Sequence, residues 1–510
     1  MKFIDIIEKL KYWAKDPEHL AIVSTQGEKM SFRELEERSR AFAHYLLKHY
    51  AGNKAPVAVF GDKENDMLTG ILGALRAGHP YVVISSYYPQ ERISQILKIA
   101  KPVLVFAASG KAFDPLSYPV LLAKQSEMYE AYAHEPLDDT YCVKGEDPAC
   151  IVFTSGSTGI PKGVIVAAEG IASMVTWRKN EDGAYPEHMR IADMTPYSFS
   201  SSFVFIFLFL IICGATLYAI DKALLANFAE LVTFVIDSDS HLLGGTPSFL
   251  DILLKNPLFC EENTKSLLYF KTGGEAMTAG TAKALKERFP QVSVWNIWGA
   301  SETSAGGIMC EYTNEIIERD YLLPTGYPAQ NAEIYLADEN GEPVPDGEEG
   351  ECIIISDMVA LGYLNDKEKE KEVFFKTEDG RRGYRTHDIM VKRSGMYYYV
   401  GRSDNLIKVG GNRVEAEEVE RAIMRGGDAA GCVVVPAEKD GKAQLMVAYI
   451  AMKEPVTKQL QMIMQIKKRL KELLPAYMIP QKIVFVDAIP KNANGKVDRK
   501  LLKQMASLDK

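Results

Sequence analysis

The sequence predicts an α/β protein: a large N-terminal body of layered α/β subdomains (residues 1–402) followed by a small α+β lid (residues 403–510). Three observations predict it. A chain of 510 residues exceeds what one hydrophobic core organises, so at least two domains are expected. Short apolar segments alternate with amphipathic ones along the first part of the chain, the rhythm of parallel sheets covered on both faces. Charge is also divided unevenly. Residues 403–510 carry 19 Lys+Arg against 13 Asp+Glu, a net of +6, whereas residues 1–402 carry 40 against 55, a net of −15.

The elements follow in order. The first 50 residues read as helices: an amphipathic start, then Ser31 with Glu34 three residues on, a capping box that opens a second helix. Residues 56–60 read as a short apolar strand, residues 65–77 as a helix, and residues 81–84, 103–106 and 150–153 as further strands. In the tail, residues 432–436, 445–451 and 483–486 read as strands and residues 457–474 as a helix, a unit of its own. The boundary falls at residues 402–405, where a Gly-Arg turn leads into a charged stretch.

Composition excludes several classes. With 47% hydrophobic and 25% charged residues the chain is globular rather than disordered. The seven cysteines are scattered and never form Cys-x-x-Cys, which argues against a disulfide framework or zinc site and fits a reducing cytoplasm. The start, Met1-Lys2-Phe3-Ile4-Asp5, has no apolar stretch that would serve as a secretory signal. No charge occurs from Met194 to Ile220, and crossing a bilayer takes ~20 apolar residues. The continuous apolar part, residues 203–213, is only eleven residues long and follows Pro196 and several serines, so a buried core helix is expected instead of membrane insertion. Acidic residues interleave with the basic ones of the tail and no RNA-binding signature accompanies them, so no nucleic-acid partner is expected.

The strongest local signal is Thr154-Ser155-Gly156-Ser157-Thr158-Gly159-Ile160-Pro161-Lys162-Gly163, directly after the predicted strand 150–153. Loops rich in glycine and hydroxyls leave N–H groups and side chains free to wrap phosphate oxygens, and Lys162 adds a positive charge. The spacing is not that of a P-loop. Composition alone would also suit a plain flexible turn; the ordered string is more specific.

That string resembles the phosphate loop of the acyl-adenylate-forming (AMP-binding) superfamily, and other superfamily motifs follow in order over almost the whole chain. Gly273-Gly274-Glu275 and Asn296-Ile297-Trp298-Gly299-Ala300-Ser301-Glu302-Thr303 resemble its adenine and Mg-ATP motifs. Tyr384-Arg385-Thr386-His387-Asp388 resembles its ribose motif, and Gly401-Arg402-Ser403-Asp404-Asn405-Leu406-Ile407-Lys408 its hinge. Leu474-Pro475-Ala476-Tyr477-Met478-Ile479-Pro480 and Asn494-Gly495-Lys496-Val497-Asp498-Arg499 resemble the nonribosomal-peptide branch. Among stand-alone enzymes the likeness is to D-alanine–D-alanyl carrier protein ligases.

The resemblance implies ATP and Mg²⁺ and assigns roles that chemistry can justify. Joining a carboxylate to the α-phosphate of ATP brings two anions together, so cations aimed at the developing charge are the main requirement. Lys496 is implied to bridge them, and Glu302 to hold Mg²⁺. Asp388 would accept from the ribose hydroxyls, Trp298 would stack on adenine where the family has tyrosine, and Arg402 would reach ribose or phosphate, with Tyr399 a weaker nucleotide contact. Asp404 is implied as the hinge on which the lid turns, withdrawing Lys496 and presenting residues 408–413 to a thiol. Ser200, Ser201, Val204, Lys271, Gly273, Ile297, Ala305 and Gly306 match the acid pocket.

Three departures stand out. Peptide-synthetase members place an aspartate, which pairs with the substrate's ammonium, where this chain has Ser200. The family's proline and threonine before the acid are Ala300 and Ser301, and its glycine before the ribose aspartate is His387. A pocket with Lys271 and no carboxylate should favour an acid without a free α-amino group, or one with a second anionic or strongly accepting group. The expected reaction is acid plus ATP giving acyl-AMP and pyrophosphate, then transfer to the phosphopantetheine thiol of a separate carrier protein. An acyl- or aryl-CoA synthetase, or a non-catalytic nucleotide-binding homologue, are the alternatives.

Overall fold

The computed structural model describes residues 1–133, 135–155, 160–181, 185–319, 323–403, 406–439, 442–490 and 497–508. Two large mixed sheets form the bulk of the chain. One has nine strands, with Arg190–Asp193, Thr216–Ala219, Leu242–Gly245, Tyr269–Gly273 and Ser293–Gly299 at its heart. The other has seven, centred on Val57–Gly61, Tyr81–Ser85 and Pro148–Thr154. Val57–Gly61 and Tyr81–Ser85 are buried along their whole length and pair in parallel, as near-continuous apolar runs should when helices cover both faces.

The capping box forms as the sequence requires: Ser31 Oγ accepts from Glu34 N at 3.2 Å, and Ser31 N donates to Glu34 Oε2 at 2.8 Å. Between the two N-terminal helices, Phe3–Trp13 and Phe32–His49, lie the strands Leu20–Val23 and Lys29–Ser31, where only helix was expected. They close one edge of the nine-stranded sheet.

The apolar run is the core helix its length implied, wound more widely than an α-helix. Val204–Ile212 is a π-helix with every residue buried, and Cys213 N bonds back to Leu208 O at 2.9 Å. Trp13 Nε1 donates to Ile211 O at 2.8 Å, supplying a partner that the loosened winding leaves over. Among the described residues no helix is long and apolar enough to cross a membrane.

A five-stranded antiparallel sheet follows, built on Arg382–Arg393 and ending with Met396–Arg402. Beyond it come the hairpin Leu406–Val409 with Asn412–Glu415, the helix Ala416–Met424, and a three-stranded sheet of Ala429–Lys439, Lys442–Met452 and Lys482–Val486. The tail strands and the helix Gln459–Leu473 are the elements expected from sequence. This tail packs against the body, and the hairpin reaches into the cavity between them.

Candidate active site

A cavity of about 1310 Å³ opens where the strands of the nine-stranded sheet end beside the five-stranded sheet and the hairpin. The ends of strands in open α/β sheets are where ligands gather. Seventeen of the residues expected from sequence line it: Thr154, Ser200, Ser201, Val204, Lys271, Gly273, Gly274, Glu275, Asn296, Ile297, Trp298, Gly299, Ser301, Ala305, Asp388, Tyr399 and Arg402. Ser155, Lys162 and Glu302 lie behind its wall. Gly306, expected in the pocket, does not line it either; a Cβ there would meet Met358 Sδ at 2.4 Å, so the glycine serves packing. Gly156, Ser157, Thr158, Gly159, Asp404 and Lys496 lie outside the described residues.

Two buried carboxylates organise the charge. Glu302 is fully buried; its Oε2 accepts from Arg413 at 2.8 Å and its Oε1 from the Tyr363 hydroxyl at 2.7 Å. Burial alone would raise its pKa, but Arg413, Lys162 and the Tyr363 hydroxyl together hold it down at about 2. Asp388 is likewise buried. Its Oδ2 accepts from Trp298 Nε1 at 2.7 Å and Lys408 Nζ at 3.1 Å, and its Oδ1 from Arg402. Here too burial pushes the pKa up and the neighbouring Arg402 and Lys408 outweigh it, so the carboxylate stays ionised.

The hairpin is clamped on the site at several points. Ser155 Oγ donates to Arg413 O at 3.1 Å and accepts from Glu415 N at 3.0 Å, while Lys162 Nζ lies 3.5 Å from Glu415. Thr154 Oγ1, at the mouth of the same loop, is buried and makes no hydrogen bond among the described residues. Away from the cavity, Arg92 donates to Glu418 at 2.7 Å, an ion pair in which both side chains are 2% exposed, joining the helices Gln90–Ala100 and Ala416–Met424. Sequence reasoning missed Arg92, Glu418 and Tyr363, because nothing in their local patterns marks a partner hundreds of residues away.

The wall expected to face the acid is polar and small. Ser200 Oγ and Ser301 Oγ lie 3.2 Å apart. Lys271 is buried rather than directed to solvent, its Nζ 3.9 Å above the Trp295 ring centroid. Gly273 has a backbone reason as well as a steric one: it pairs with Ile297 across the sheet, and a Cβ would stand 2.8 Å from Ile297 O. Glu275 accepts from Ser248 Oγ at 2.7 Å and Asn296 Oδ1 from Thr272 Oγ1 at 2.9 Å, which fixes the floor. His387 takes φ +58°, a conformation glycine adopts freely, which accounts for the glycine usual before this aspartate. Its amide donates to Glu351 Oε1 at 2.9 Å, and its ring lies 3.2 Å from the same carboxylate.

The family profile described as AMP-binding enzyme matches residues 10–364, and that of the AMP-binding enzyme C-terminal domain matches residues 418–496. The chain is 34% identical over 506 residues to a D-alanine–D-alanyl carrier protein ligase of Listeria welshimeri, covering 98% of both chains. In fold it is similar to a nonribosomal peptide synthetase protein containing adenylation and PCP domains (TM-score 0.81, 22% identity, 98% of this chain and 84% of that one). It is also similar to the Vibrio cholerae adenylation domain AlmE in complex with glycyl-adenosine-5′-phosphate (TM-score 0.83, 20% identity, 98% and 97%).

Proposed function

Since this chain belongs to the AMP-binding enzyme family, we propose that it is an AMP-forming ligase that activates a carboxylic or amino acid and passes it to a separate carrier protein. The observation that carries the reading is the full-length match to D-alanine–D-alanyl carrier protein ligases, which covers body and lid alike. In the first half-reaction a carboxylate oxygen of the acid attacks the α-phosphorus of ATP, and pyrophosphate leaves. In the second the phosphopantetheine thiol gives up its proton and attacks the acyl carbon, the carbon–sulfur bond forms, and the acyl carbon–oxygen bond breaks as AMP departs with its electrons.

The residues take the following roles. Thr154 to Gly159 and Lys162 hold phosphate; Gly274, Glu275, Asn296, Trp298, Gly299 and Ser301 frame the adenosine, with Tyr399 and Arg402 beside it. Asp388 accepts from the ribose hydroxyls. Lys496 offsets the charge that develops between acid and phosphate. Glu302 fits Mg²⁺: it is a carboxylate kept ionised, and Mg²⁺ takes one or two protein carboxylates plus substrate phosphates. When bound, Mg²⁺ neutralises phosphate charge. Arg413 holds one Glu302 oxygen in the docked arrangement, so it must release that oxygen for Glu302 to serve the ion.

We divide the chain at residues 402/403 and assign the docked hairpin to the transfer step, with Asp404 as the pivot that carries the lid between half-reactions. The scattered cysteines, none in a Cys-x-x-Cys pair, favour a cytoplasmic setting.

For the acid itself, Ser200, facing Ser301, stands where peptide-synthetase members place the aspartate that pairs an α-ammonium, while Lys271 stands on the cavity wall. In ATP–pyrophosphate exchange over a panel of acids, D-alanine is expected to be a poor substrate. The best acid lacks a free α-amino group or carries a second accepting group. Lys271→Ala should weaken it about tenfold, the scale of a hydrogen bond to a charged group. D-alanine as the preferred acid, with Ser200→Asp giving no gain, would overturn this assignment of the pocket.

A further inference from the structure

Trp298 stands where the superfamily resemblance led us to expect a stacking ring, yet its polar edge is engaged. The indole N–H donates to Asp388 Oδ2 at 2.7 Å, with Trp298 9% and Asp388 2% exposed. The bond crosses between sheets: Trp298 ends the strand Ser293–Gly299 of the nine-stranded sheet, and Asp388 lies in Arg382–Arg393 of the five-stranded one. The ring is fixed from behind. A Cβ on Gly307 would stand 3.0 Å from Trp298 Cε3 and Cζ3, so the indole lies close over a backbone that only glycine permits.

We propose that Trp298 is a positioning residue for the ribose: its N–H holds the Asp388 carboxylate in the orientation that receives the ribose hydroxyls. The inference rests on the ribose role given to Asp388 above. Among the described residues three groups donate to this carboxylate, and they differ in permanence. Lys408 belongs to the hairpin that the lid carries, whereas Arg402, on Oδ1, ends the strand Met396–Arg402 that pairs with the strand of Asp388. Trp298 belongs to the same body as Asp388 and stays in either arrangement. A carboxylate turns about its last bond unless one oxygen is held, and a buried N–H to an ionised acceptor is among the stronger ways to hold it. With Oδ2 anchored by the indole, Oδ1 and the second lone pair of Oδ2 are presented in a fixed direction. One side chain thereby sets the angle between the ring plane offered to a base and the acceptors offered to its sugar. A tyrosine ring has no donor at this edge position and would leave Oδ2, among the described residues, to Lys408 of the hairpin.

The test compares equilibrium binding of Mg·ATP, Mg·2′-deoxy-ATP and Mg·3′-deoxy-ATP to the full chain by calorimetry. Trp298→Phe keeps an apolar ring and removes the donor. Trp298→3-benzothienylalanine, with sulfur in place of N–H, keeps the size and shape as well. Both are expected to cut the preference for ATP over the deoxynucleotides about tenfold, any loss of ring stacking falling on all three nucleotides alike. Loss of all three affinities in parallel, or an intact preference in the benzothienyl variant, would overturn the proposal. Asp388→Asn separates the two levels. If it retains the full preference, the ribose role of Asp388 fails and the inference with it. If it loses the preference while the Trp298 variants keep theirs, only the positioning role fails.

Discussion

Replacing Lys496 by alanine is expected to lower acyl-AMP formation, followed by ATP–pyrophosphate exchange, by on the order of 10²–10³-fold, the scale for removing one group aimed at transition-state charge. The reason lies in the reaction. Acid and α-phosphate repel until a cation meets the oxygens between them, and that interaction strengthens as the bond forms. A group that acts there changes the rate far more than the affinity. ATP binding by calorimetry should therefore stay close to that of the parent chain, and transfer from preformed acyl-AMP to the carrier thiol should continue. Lys496→Arg, which keeps the charge in a broader, planar head, is expected to recover only part of the rate. Near-normal exchange by the alanine variant with any accepted acid would remove Lys496 from this role.

How much of this was legible in the sequence depends on whether the signal was local. Residues 57–61 and 81–85 are buried on both faces, so their apolar runs could mean little else once helical segments separated them. Ser31 and Glu34 cap a helix through contacts three residues apart. By contrast, Leu20–Val23 and Lys29–Ser31 are short strands that join the sheet through long-range pairing of Leu20–Val23 with Thr216–Ala219, and no local pattern announced them. The eleven-residue apolar run announced burial, but its π winding depends on how Trp13 and Gly214 meet it. In the site, motif order found Asp388, Trp298 and Glu302, because each sits in a string that resembles others of its kind. What each of them touches did not follow. Trp298 and Asp388 are 90 residues apart, Glu302 and Arg413 are 111, and only the packing of separate sheets and hairpin makes them partners. Gly273 and Gly306, matched to the acid pocket by resemblance, also answer to close contacts with Ile297 and Met358.

Those long-range partners make the second prediction. The docked hairpin occupies Glu302 through Arg413, Asp388 through Lys408, and Ser155 through the backbone of residues 413 and 415, the same groups proposed to meet Mg·ATP. Docking and Mg·ATP binding therefore draw on one set of groups, and the lid needs a further contact to hold it down once pyrophosphate has left. The Arg92–Glu418 pair is placed for that work: it is buried and joins the helices Gln90–Ala100 and Ala416–Met424, and Arg92 also donates to Thr154 O at 3.4 Å. Removing one partner of a buried pair costs about 3–5 kcal/mol, whereas replacing both with apolar groups of similar volume is often near neutral. Arg92→Met is thus expected to slow transfer of the acyl group from preformed acyl-AMP to carrier protein by on the order of 10²-fold or more. Pyrophosphate exchange, which does not require the docked hairpin, should change only a few-fold on that scale. Adding Glu418→Met should restore most of the transfer rate, since the interface then closes on apolar contact alone. Asp404→Pro, which fixes one backbone angle at the pivot, should likewise hurt transfer more than exchange, and Glu418→Met should not rescue it. Equal losses in both half-reactions for Arg92→Met, with no recovery in the double variant, would mean that the pair supports the fold and not the docked arrangement.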